Sequence, residues 1–143
     1  MIRILASAVL AAAILISGAS ASLANRLVAH VDLSKQTMTV RKDGRVLYKW
    51  RVSTARSGYR TPTGQWSPTR MHKMWYSRKY DMSPMPYSIF FYGGYAIHGT
   101  NYVKSLGRPA SHGCVRLDTA NARKLYDLTR EVGADNMRVV ITH

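Results

Sequence analysis

A mainly β domain with one principal α-helix near its C-terminus is the fold class that this sequence predicts. Short runs of alternating apolar residues recur from Leu27 onward, and turns rich in glycine and proline separate them. Only the stretch after Asp118 spaces its apolar residues as a helix does. The 143 residues, 46% hydrophobic and 20% charged, have a globular composition that excludes intrinsic disorder and collagen-like structure.

Residues 1–24 read as a secretory signal peptide. Arg3 supplies a basic start, an apolar run covers Ile4 to Ile16, and Ala19-Ser20-Ala21 offers a small-residue cleavage site, with Ala24 as the alternative end. The run is shorter than the roughly 20 residues of a spanning helix, so no stable membrane anchor is expected after cleavage. Residues 25–143 are then the folded domain, exported to the periplasm or cell envelope.

Leu27, Ala29, Val31 and Leu33 alternate with other residues, as do Met38 and Val40, and then Val46, Tyr48, Trp50 and Val52. With Asp43-Gly44 as a tight turn, these runs predict a three-stranded meander. Residues 54–86 hold four of the five prolines and read as mainly loop, with one strand around Gln65 to Thr69. Long loops in small domains are usually functional. Ser88 to Tyr92 and Tyr95 to His98 flank Gly93-Gly94 as a second hairpin. Asp118 is placed to cap a helix running to Val132, with Leu125, Leu128 and Val132 on one face and Gly133 as its stop. Met137 to Ile141 is a closing strand.

The net charge of +14 points to a polyanionic partner. Residues 26–116 carry sixteen Lys or Arg against three acids, whereas residues 117–143 carry four of each, so the basic field belongs to the strand-and-loop portion. Export makes nucleic acid an unsuitable partner and leaves cell wall or an anionic lipid surface.

Residues 98–116 hold the chemistry. His98-Gly99-Thr100 precedes Ser111-His112-Gly113-Cys114-Val115-Arg116-Leu117, which contains the single cysteine of the chain and so excludes an internal disulfide. A free thiol has a pKa near 8.5 and is only slightly ionised at neutral pH, so a nucleophilic one needs a base; His98 and His112 are both candidates. A lone cysteine is ordinarily a small buried hydrophobe. The flanking glycine and histidine, in an exported chain where an idle thiol risks oxidation, favour a reactive group. A metal site built from His98, His112, Cys114 and His72 is a competing reading, but no second compact ligand pair accompanies His112 and Cys114. No metal and no cofactor are therefore expected.

This segment resembles the signature of the L,D-transpeptidase catalytic domain, also called the YkuD domain. Val31-Asp32-Leu33-Ser34-Lys35-Gln36 is similar to that family's opening hairpin, Thr61-Pro62-Thr63-Gly64 to its characteristic loop, and Met85-Pro86-Tyr87 to the approach to the histidine-bearing strand. The resemblance runs from about residue 26 to 143. It implies a β-sandwich and a cysteine acyltransferase that forms a thioester with a peptidoglycan stem tetrapeptide, releases D-alanine and passes the acyl group to an amine. On that basis Cys114 is the nucleophile and His98 the base. The Gly99 carbonyl orients the imidazole, and backbone amides around His112, Gly113 and Cys114 form an oxyanion hole. Arg116 stands where part of the family has asparagine; it is expected to bind either a stem carboxylate or a structural acceptor. Ser111, Tyr95 and Tyr87 are candidate substrate contacts. The acceptor that the resemblance implies is a second stem peptide or an envelope protein, and the sequence does not name which. A carboxypeptidase using the same site and a non-catalytic basic wall-binding protein are the alternatives.

Overall fold

The computed structural model describes residues 26–143. The expected signal peptide lies outside these residues.

Among the described residues, two sheets and one long helix surround a shared core. The first sheet has the order β3-β2-β1-β9-β4, formed by β1 (Leu27–Asp32), β2 (Thr37–Lys42), β3 (Arg45–Arg51), β9 (Met137–Thr142) and β4 (Gly64–Trp66). The second has the order β5-β6-β7-β8, formed by β5 (Arg70–Ser77), β6 (Ser83–Tyr92), β7 (Tyr95–Thr100) and β8 (Val115–Asp118). The mainly β class with a single long C-terminal helix is the one expected.

The alternation of β1 and β2 translates directly into burial: Leu27, Ala29, Val31, Met38 and Val40 are wholly buried. They meet Met137 and Val139 of β9, Ile89 and Phe91 of β6, Ile97 of β7, and Val115 and Leu117 of β8 in one cluster. Each large side chain in it contributes roughly 1.5–3 kcal/mol relative to exposure. Asp43 and Gly44 both take positive φ, 52° and 82°, as a two-residue hairpin turn requires. Helix α1 (Thr119–Val132) starts at Asp118, whose Oδ1 accepts the Ala120 N–H at 2.9 Å, and ends at Gly133 with φ 88°. Its buried face is Ala122, Leu125, Tyr126, Thr129 and Val132, with Leu128 partly covered.

Residues 54–86 depart from the expected loop. They contain β4, β5 and the start of β6, and the expected Gln65–Thr69 strand is shortened to Gly64–Trp66. Pro84 and Pro86 did not prevent strand formation. They stand two apart, so their nitrogens point to one side of β6, and pairing with β7 begins only at Ile89. A strand can carry prolines on a side that has no ladder. β8 had no sequence signal of its own. Its four residues become a strand by pairing parallel to β7, Ile97 with Val115 and His98 with Arg116.

Candidate active site

A cavity of about 550 Å³ opens on the four-stranded sheet and brings His98, Ser111, His112, Cys114, Arg116 and Tyr95 together. The parallel register explains how residues sixteen apart in sequence converge. Ile97, Val115 and Leu117 face the core, so the alternate residues of these neighbouring strands, His98 on β7 and Arg116 on β8, face the cavity with Cys114 at the mouth of β8. Gly99 lets β7 lie against the start of α1: a Cβ there would come within 2.9 Å of the Thr119 Cα and 3.1 Å of the Pro86 Cγ.

His98 is 6% exposed, and its Nδ1 lies 2.7 Å from the Gly99 carbonyl oxygen. The carbonyl can only accept, so Nδ1 carries the proton and Nε2 keeps its lone pair. Burial pushes the His98 pKa down to about 4; the Gly99 bond opposes this and the Arg116 charge adds to it. Burial pushes the Cys114 thiol up, an effect the Ala96 N–H and Arg116 partly offset. The resting pair is therefore a neutral thiol and a neutral imidazole. Burial penalises both charged forms, the thiolate and the imidazolium alike.

The loop before Cys114 is tied internally. Ser111 Oγ donates to the Cys114 carbonyl at 2.6 Å and accepts the Gly113 N–H at 3.0 Å. Of the amides expected to form an oxyanion hole, that of Gly113 is thus already engaged. Gly113 has φ 137°, and a Cβ there would meet the Tyr95 Cε1 at 2.6 Å and the Arg60 carbonyl oxygen at 2.8 Å. Tyr95 serves as the wall of this loop and stacks on Tyr92.

The His112 ring is held by aromatic and cationic neighbours at the cavity wall. Its ring stacks on Tyr80 at 4.2 Å, meets Tyr59 edge-on at 4.6 Å and has its Nε2 3.1 Å from Arg56 Nη2. Desolvation first, and then the charges of Arg56, Arg116 and Lys79, lower its pKa. Tyr80 belongs to a short 3₁₀ turn, Arg78–Tyr80, joining β5 to β6, so the β5–β6 hairpin reaches over the cavity and rests on His112.

Arg116 is half-buried and reaches the Ala110 carbonyl at 3.4 Å; it has no carboxylate partner among the described residues. Arg70, Arg78 and Lys79 line the same cavity, and no Asp or Glu does. Tyr87, expected as a substrate contact, does not line it. Its backbone has φ 53°, it is missing from the β5–β6 ladder while the register on either side is unchanged, and its ring packs on Tyr126 of α1 with centroids 5.7 Å apart. Among the described residues no group of three or more His, Cys, Asp or Glu could hold a metal ion. His72 packs against Trp75 instead, with ring centroids 4.7 Å apart and planes tilted by 34°.

Sequence reasoning missed Tyr80, Arg56, Trp75 and the individual role of Thr61. Trp75 and Tyr80 belong to the β5–β6 hairpin, which the sequence presents as loop, and Arg56 lies in the irregular segment between β3 and β4. Thr61 stood in a recognised motif that carried no assigned chemistry.

The profile of the family described as YkuD, L,D-transpeptidase catalytic domain, matches residues 26–141. No curated protein matches the chain. Among solved structures, an L,D-transpeptidase from Mycobacterium smegmatis is similar with a TM-score of 0.74 and 22% identity, covering 82% of this chain and 59% of its own. An L,D-transpeptidase from Stackebrandtia nassauensis gives 0.72 and 29% identity, covering 82% and 56%. L,D-transpeptidase 3 from Mycobacterium tuberculosis, in complex with a faropenem-derived adduct, gives 0.69 and 20% identity, covering 82% and 60%. The chain thus spans about three-fifths of the length of these structures.

Proposed function

The chain belongs to the L,D-transpeptidase catalytic domain family, and from that premise we propose that it is an exported cysteine acyltransferase acting on peptidoglycan stem peptides. The observation that carries the reading is the pairing, at one cavity, of the single thiol with a neutral imidazole whose Nε2 is free to accept a proton.

Cys114 Sγ attacks the carbonyl joining the third stem residue to the terminal D-alanine, while its proton passes to His98 Nε2. Proton transfer during attack suits this site, because burial disfavours a standing thiolate and imidazolium. The tetrahedral intermediate collapses by expelling the D-alanine amine, which takes the proton from His98 and leaves a thioester on Cys114. An acceptor amine then loses a proton to His98 and attacks the thioester, and the departing thiolate regains that proton. Arg116, Arg70, Arg78 and Lys79, with no acid in the lining, favour a donor that carries free carboxylates.

Transfer is favoured over hydrolysis because no carboxylate lines the cavity to activate water, and because a thioester reacts more readily with a positioned amine. The test is a tetrapeptide donor supplied with and without a diaminopimelate-type or D-amino-acid acceptor. Cross-linked or exchanged product should exceed tripeptide at saturating acceptor. A dominant tripeptide makes the protein a carboxypeptidase, and absence of any thioester on Cys114 by intact mass removes the catalytic reading.

A further inference from the structure

Thr61 is 5% exposed, does not line the cavity, and lies 52 residues from the loop it touches. Its hydroxyl is engaged both as acceptor and as donor: Oγ1 accepts the Ala55 N–H at 3.0 Å and donates its one proton to the Gly113 carbonyl at 2.8 Å. The Ala55 end is itself fixed. Gln36, buried in the turn after β1, accepts the Thr54 N–H on Oε1 at 2.9 Å and donates through Nε2 to the Thr54 Oγ1 and to the Leu33 carbonyl. Residues 54–56 are further bonded to Ser111 and Ala110 through backbone groups. A chain of bonds thus runs from the first hairpin through Thr61 to the peptide that joins Gly113 to Cys114.

That peptide is trans, so its C=O and N–H point in opposite directions. Holding the Gly113 carbonyl on Thr61, behind the loop, aims the Cys114 N–H toward the cavity. Gly113, at φ 137° and without a side chain, has little conformational preference of its own to hold this peptide plane. Its own N–H is spent on Ser111. We propose that Thr61 is a positioning residue that orients the Cys114 N–H as an oxyanion donor. The proposal rests on the acyl-transfer reading above.

The experiment compares two reactions of the same thiol in the full chain. Acylation by a tetrapeptide or a carbapenem builds negative charge on a carbonyl oxygen, whereas alkylation by iodoacetamide builds none. Thr61→Val keeps the shape and removes the donor, and Thr61→Ala, which is smaller and cannot clash, is the second variant. Both should slow acylation by roughly 10- to 100-fold, within or below the usual loss of one oxyanion donor, through kcat rather than donor KM. Iodoacetamide alkylation should stay within about twofold of the wild-type rate, and Thr61→Ser should restore acylation, since its hydroxyl can make both bonds. An equal fall in acylation and alkylation makes Thr61 a merely structural tie and overturns the proposal, as does unchanged acylation. A wild-type chain that no acyl donor modifies removes the transpeptidase reading and this proposal with it, and is recognised before any variant is compared.

Discussion

Cys114 and His98 are each neutral at rest because the same burial that shelters the thiol lowers the imidazole to about 4. The pH dependence follows from the signs. In the proposed mechanism His98 serves as base wherever it is deprotonated, so the acylation rate should be level near neutrality and fall only as pH drops through about 4. Alkylation by iodoacetamide, which needs the thiolate, should instead rise with pH to a midpoint above that of free cysteine; a midpoint below it contradicts the desolvated thiol. Cys114→Ser should abolish turnover, and His98→Gln should slow single-turnover acylation by roughly 10²–10⁴-fold. Gly113→Ala should cost about 1–3 kcal/mol in denaturant titrations, because an L residue is strained at φ 137° and its Cβ meets Tyr95 and the Arg60 carbonyl. The motif already named Cys114 and His98 as a pair. The pKa directions were illegible there, since desolvation comes from residues such as Met85, Phe90 and Trp75 that no spacing links to the thiol.

At the level of elements, the β5–β6 hairpin is the part the sequence concealed. Its prolines read as loop punctuation, yet the hairpin forms and sets Tyr80 on His112. His112→Ala should therefore act mainly on substrate retention. It should raise donor KM by several-fold and lower kcat less than His98→Gln does. Tyr80→Ala should do the same, and the double variant should be no worse than either single one, as expected for two halves of one contact. Additive losses in that double-mutant cycle would separate His112 from the hairpin. Helix α1, by contrast, was legible end to end, because its cap, its apolar face and its glycine stop are local signals.

For the whole molecule, the cation excess is distributed unevenly. The bulge between Val40 and Arg41 sets Arg41 beside Val46, and Lys49 stands opposite Thr39, both on the face away from Met38 and Val40. Lys42, on the opposite side, pairs with Glu131 of the helix at 3.1 Å. Binding to isolated cell wall should weaken steeply with salt, since exposed charges are screened beyond roughly 8 Å at physiological ionic strength. Arg41→Gln with Lys49→Gln should weaken it more than Lys42→Gln, while acylation of a small soluble donor is spared. Wall binding that ignores salt makes the basic face a solvated surface only. Acid stability is a second global property. His98 is lowered from 6.5 in the unfolded chain to about 4 in the fold, so folding loses about 3 kcal/mol as pH falls through that window. Denaturant titrations of His98→Gln should show a smaller loss between those pH values than the wild type.

The sequence by itself determined the meander, the helix and the family and singled out Cys114 and His98 as candidates, because each depends on neighbours within a few residues or on a fixed motif. Alternation specifies which side of a strand is apolar, and a capping Asp with a terminal Gly specifies a helix. Only the tertiary structure decided that β9 lies parallel to β1, that β8 is a strand, and that Tyr87 turns to the helix while Tyr80 comes to the cavity. It also decided that Thr61 holds the Gly113 carbonyl. Those outcomes depend on pairings between residues far apart in the chain. Such pairings become favourable only once the two sheets and the helix have closed on one another and excluded water, and no local pattern encodes them.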